Sequence, residues 1–194
     1  MNFLAHIYLS DDKPLLQIGN FIADSVKGRQ VNTYPLPIQE GIRLHRAIDA
    51  YTDAHPAVAT SVRRLRPSQG KFAAVVVDIF YDHFLAKDWG LYHKIPLEEF
   101  TDSFYAHIQE YYAVLPQRVQ EMLPYMVEEN WLLHYRKISG IRSVLEGMAQ
   151  RTRFDSNMRQ AHRDLEIHYK DFQKDFDLFF PDLQNFTKEW SPTL

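Results

Sequence analysis

The chain has 194 residues, of which 45% are hydrophobic, with a formal net charge of −3 and no cysteine. That length and apolar share suffice for one domain with a full core over residues 1–194 and exclude a disordered or collagen-like chain, and the missing thiols exclude disulfides, thiolate zinc sites and a cysteine nucleophile. The mild acidity offers no general attraction to nucleic acid, no run approaches the ~20 apolar residues of a membrane span, and Met1-Asn2-Phe3-Leu4-Ala5-His6 lacks the basic start of a secretion signal; the expected setting is cytoplasmic, with neither nucleic acid nor membrane as partner.

Apolar positions recur with a period near 3.6 through most of the chain, while strand-like alternation is nearly absent, which predicts an all-α fold. In chain order, Pro14 suits a helix start and Gly28 a helix end, Pro35 and Pro37 a loop, Pro56 a new helix start, and Pro67 to Gly70 a turn. Ala73 to Val77 is a β-branched apolar run that continues with helical spacing to Ala86, and it reads as a buried helix. Pro96, Pro116, Pro124, Gly140 and Pro181 divide the remainder, giving roughly eight or nine helices joined by short loops. Phe172, Phe176, Phe179 and Phe180 fall at helical spacing and read as core. The run Arg151 to Arg153, the pair Glu128-Glu129, and His162 and His168 read as solvated faces.

Chemistry concentrates in two of these segments. His45, Asp49 and Asp53 lie four positions apart and share one helical stripe with apolar neighbours Leu44, Ile48 and Tyr51 on other faces. Asp78 and Asp82 interrupt the most apolar stretch, with His83 adjoining. Two carboxylates one turn apart in a buried helix repel each other unless a cation sits between them. A divalent metal held between the two segments accounts for both patterns; a solvated face or a buried polar network is the plain alternative. His6 and Asp24 are further candidates, and Asp24 precedes Lys27 by three residues, a spacing that lets both address one anion. Carboxylates and imidazoles without sulfur suit Mn²⁺ foremost or Mg²⁺, with Fe²⁺ or Zn²⁺ compatible. Such an ion favours hydrolysis, and Lys27, Arg43 and Arg46 supply cations for phosphate oxygens. No Gly-rich phosphate loop or nucleophile elbow is present, and the Glu-x-x-His pairs of a carboxylate-bridged di-iron bundle are missing.

The segments MNFLAHIYLS, GNFIADSVKG, GIRLHRAIDAYTDAHP and DIFYDHFLAKDW together resemble the acyl carrier protein phosphodiesterase family, a remote branch of the HD-type metal-dependent phosphohydrolases. ENWLLHYRKISGI and YKDFQKDFDLFFPDL extend the likeness over nearly the whole chain. The resemblance implies an all-α, HD-like architecture and hydrolysis of the phosphodiester between 4′-phosphopantetheine and a serine of holo-acyl carrier protein, with Mn²⁺ or Mg²⁺ as cofactor. It directs attention to Asp24, His45, Asp49, Asp78, Asp82 and His83 as the site, with His6 nearby, Asp53 a secondary candidate and Asp24 near the substrate phosphate. The chain has no adjacent His-Asp pair, carrying Asp82-His83 in reverse order. Between Asp53 and Asp78 lie Arg63, Arg64, Arg66 and Lys71 without an acid, a surface suited to docking an acidic carrier. The same metal chemistry would serve a nucleotide or another small phosphate ester, and a non-catalytic helical binding protein would need no metal at all.

Overall fold

A computed structural model describes residues 1–152 and 156–191, so Arg153 of the expected solvated run lies outside the described residues. Those residues form eleven α-helices and six short 3-10 helices, and no strand. The all-α expectation holds, with more and shorter helices than the eight or nine expected. In order, α1 is Phe3–Tyr8, α2 Pro14–Ile22, α3 Leu36–Ala54, α4 Pro56–Gln69, α5 Ala73–Lys87 and α6 Leu97–Glu110. There follow α7 Gln117–Glu128, α8 Trp131–His134, α9 Ile138–Arg151, α10 Ala161–Ile167 and α11 Tyr169–Glu189.

The β-branched run becomes α5, whose residues from Ile79 to Ala86 are all buried. It packs against α1, α4, α9 and α11, so nearly every face of the helix needs an apolar neighbour. Phe172, Phe176, Phe179 and Phe180 of α11 are buried as the spacing predicts. Edge-to-face contacts join Phe172 to Phe80 at 5.1 Å and Phe176 to Tyr81 at 5.5 Å between ring centroids.

Proline and glycine punctuate the chain less often than expected. Pro14 and Pro56 do open helices, but Pro35 caps α3 and Pro37 lies in its first turn, where a missing N–H costs nothing. Pro67, Pro124 and Pro181 lie inside α4, α7 and α11. Burying four phenylalanines, each worth roughly 1.5–3 kcal/mol, outweighs the roughly 3 kcal/mol that an interior proline costs α11. In α7 the carbonyl of Gln120, which Pro124 cannot bond, accepts the Tyr112 hydroxyl at 3.1 Å. Gly28 opens a 3-10 helix, Gly28–Thr33, rather than closing α2, which ends at Ile22. Gly140 lies inside α9, because a Cβ there would meet the His134 carbonyl oxygen at 2.1 Å.

Candidate metal centre

The site is assembled from α1, α2, α3 and the 3-10 helix Ala23–Ser25, and its precision starts at a close crossing of α2 and α3. A Cβ on Gly19 would lie 2.1 Å from the Ile38 carbonyl oxygen, and one on Gly41 would lie 2.2 Å from that of Leu16. Only glycine at both positions lets the two backbones meet. One residue beyond the contact, the carbonyl of Asn20 accepts a hydrogen bond from His45 Nδ1 at 2.8 Å. The Asn20 side chain donates to the His6 carbonyl at 2.8 Å and to Ser10 Oγ at 2.9 Å, tying α1 to the same crossing. His6 and His45 stack with ring centroids 4.0 Å apart.

Because Nδ1 of His45 donates to a carbonyl, Nε2 is the nitrogen presented to the site. It lies 3.1 Å from Asp49 Oδ2 and 3.3 Å from Asp24 Oδ1. Nε2 of His6 lies 3.3 Å from Asp49 Oδ1 and donates to the Met1 carbonyl at 3.2 Å. The donor atoms of His6, His45 and Asp49 all fall within 4.8 Å of one another. Both histidines are buried, whereas the Asp24 side chain is 78% exposed, so the cluster opens to solvent on its Asp24 side.

The electrostatics follow from that partial burial. Burial opposes charge on His45, but its hydrogen bonds to Asp24 and Asp49 and the charge of those carboxylates outweigh it, and the imidazole is raised to about 9. Burial lowers His6 to about 4 despite its contact with Asp49, with the neighbouring positive His45 adding to the effect. Burial works to raise Asp49, yet hydrogen bonds from both imidazoles hold its carboxyl well below the usual range. Asp24 is lowered mainly by its hydrogen bond to His45. Positive charge is therefore what this cluster favours at its centre. Imidazole and carboxylate donors with no sulfur fit a divalent cation there, and His45 already has the backbone partner that a ligating histidine normally keeps on its second nitrogen. His6 Nδ1 is buried without a partner, so that ring lacks the equivalent support.

Asp78 and Asp82 face the start of the chain. Asp82, fully buried, accepts the backbone N–H of Leu4 at 2.8 Å and those of Asn2 and Ala5 at 3.3 Å each. First-turn amides have no partner within their own helix, so the carboxylate caps α1 from α5. Burial raises Asp82 to about 7, while the Met1 amine and these amides pull the other way. Asp78 Oδ1 accepts from the buried Met1 amine at 3.0 Å. Burial raises the Asp78 carboxyl against the pull of that amine. His83 bonds the Tyr135 carbonyl through Nδ1 at 2.8 Å and the Tyr169 hydroxyl through Nε2 at 2.9 Å.

The expected cations divide in the same way. Lys27 and Arg46 are exposed and Arg43 is half-buried, and Asp53 is exposed at the end of α3. Arg63, Arg66 and Lys71 are exposed as well. Arg64 is committed to the fold: Nη1 donates to Asp175 Oδ2 at 2.7 Å, and the guanidinium lies 4.9 Å from the Phe172 ring centre. Asn20, Gly19 and Gly41, none of them singled out beforehand, organise the cluster, while the Met1 amine, equally unforeseen, meets Asp78. Gly19 and Asn20 lay within a segment already noted for Asp24, but their importance depends on a helix crossing that no local pattern announces.

The profile of the acyl carrier protein phosphodiesterase family matches residues 1–183. A curated acyl carrier protein phosphodiesterase of Escherichia coli O6:H1 is 36% identical over 183 residues, covering 93% of this chain and 94% of that protein. Those of Photorhabdus laumondii and Enterobacter sp. strain 638 are 34% and 35% identical, covering 93% of this chain and 92% and 94% of their own lengths. No solved structure matches the chain. With a profile match over residues 1–183 and relatives above 30% identity across nine-tenths of its length, the chain belongs to the acyl carrier protein phosphodiesterase family.

Proposed function

We propose that this protein hydrolyses the phosphodiester joining 4′-phosphopantetheine to a serine of holo-acyl carrier protein, releasing the apo-carrier and 4′-phosphopantetheine. The observation that carries this reading is the convergence of His6, His45 and Asp49, with Asp24 at the solvent edge, around a position that favours positive charge. His45 and Asp49 would hold a divalent cation, Mn²⁺ foremost, with His6 completing the set. When bound, such an ion supplies Lewis-acid chemistry, lowering the pKa of water and neutralising phosphoryl charge.

The chain's own groups account for the rest. Asp24 is the exposed carboxylate of the cluster, placed to orient the attacking water and take its proton. Water adds to phosphorus as it gives its proton to Asp24, the bond from phosphorus to the serine oxygen breaks, and that oxygen leaves as a hydroxyl with a proton from solvent, to which Asp24 in turn returns its own. Lys27, Arg43 and Arg46 lie on the segments that carry Asp24 and His45, and they offset charge on the phosphoryl oxygens. Asp78, Asp82 and Asn20 keep α1, and with it His6, in register.

The test is mass spectrometry of holo-carrier incubated with the protein and Mn²⁺, with and without chelator. Loss of one prosthetic-group mass only when metal is present is expected. An unchanged carrier alongside turnover of nucleotides would assign the centre to small phosphate esters instead, and a protein that takes up no stoichiometric metal would be a non-catalytic binding protein.

A further inference from the structure

Beside the candidate centre lies a concave feature that the reaction as described does not use. A cavity of ≈ 480 Å³ opens between the 3-10 helix Gly28–Thr33 and the start of α7, a size that suits a small flexible ligand. Its wall begins at Ser25, the residue after Asp24, whose carboxylate reaches His45. Cavity and centre therefore share the 3-10 helix Ala23–Ser25. The lining is mostly polar, with Gln30 and Thr33 on one side and Gln117 and the charged Arg118 and Glu121 on the other. Gln30 Oε1 accepts the Lys27 N–H at 3.1 Å, and Gln117 Nε2 donates to Glu121 at 2.9 Å. The amide nitrogen of Gln30 and the amide oxygen of Gln117 are thus left to bond a ligand, one as donor and one as acceptor.

We propose that this cleft receives the amide-bearing pantetheine arm of the substrate while the phosphate lies at Asp24, an assignment that rests on the reaction proposed above. A fatty acyl chain would want an apolar tunnel. A chain of secondary amides and hydroxyls wants donors and acceptors, and the cleft offers the Gln30 amide nitrogen and the Gln117 amide oxygen.

Calorimetry of the metal-free protein with pantetheine should show saturable binding, and adenosine should show none. Gln117→Trp and Thr33→Trp fill the cleft. Gln117→Ala combined with Arg118→Ala strips exposed side chains and keeps the test valid if the larger residues disturb folding, which far-UV circular dichroism reports. Each is expected to weaken pantetheine and raise KM for holo-carrier by about tenfold, the scale of one or two lost polar contacts. Hydrolysis of bis(p-nitrophenyl) phosphate should stay at the wild-type rate. Wild-type cleavage of holo-carrier with pantetheine affinity and KM unchanged in every folded variant would overturn the cleft assignment. Pantetheine binding that the variants weaken, in a protein that leaves holo-carrier intact, would support the cleft while removing the proposed reaction.

Discussion

Two kinds of carboxylate meet near α1, and they should respond differently to mutation. Asp49, 43% exposed, faces two imidazoles; Asp82, fully buried, faces three backbone N–H groups. Asp49→Ala is expected to abolish divalent-metal binding in calorimetry with a smaller loss of stability. Asp82→Ala strands buried amides and should cost roughly 3 kcal/mol or more in urea unfolding. Full stability with metal binding lost in Asp82→Ala would make that residue a direct ligand. The sequence identified Asp78 and Asp82 as interior acids that would need a cation between them. It did not identify the amine and amides that meet them, because these lie 77 to 80 positions away and are brought near only when α1 docks on α5.

Helices α2 and α3 owe their contact to two hydrogen atoms in place of side chains. Gly41→Ala would push a methyl into the Leu16 carbonyl and separate the helices, moving His45 off the Asn20 carbonyl. The expected result is a loss of about 1–3 kcal/mol, the usual cost of overpacking, together with weakened metal binding. Gly147→Ala is the control: within α9 its Cβ would meet nothing within 4 Å, so the change should stabilise by roughly 0.5–1 kcal/mol. Equal thermal shifts for the two variants would refute a special crossing at Gly41. Helix type was legible throughout from the 3.6 period, and α5 from an apolar run that continues at helical spacing. Helix ends were less so: Pro124 and Pro181 read as breaks, yet burial of one face sustains helices through them.

Across the whole molecule, the basic stretch between Asp53 and Asp78 is only partly available to a partner. Arg64 is occupied by Asp175 and Phe172, so Arg64→Glu should unfold the α4–α11 contact and report on stability. Arg63→Glu with Arg66→Glu leaves that contact alone. If this surface docks an acidic carrier, the double variant lowers kcat/KM for holo-carrier several-fold at low salt, and the difference fades as salt rises. A small phosphodiester should be cleaved as before; equal loss on both substrates would rule docking out. By itself the sequence determined the helical class, the burial of α5 and the C-terminal phenylalanines, and the stripe bearing His45 and Asp49, because spacing along one helix settles what that helix displays. Only the tertiary structure decided which of these groups meet. Donor atoms come together through a glycine crossing and through amides at the chain start held by α5, and such contacts depend on how separate helices pack rather than on the pattern within any one of them.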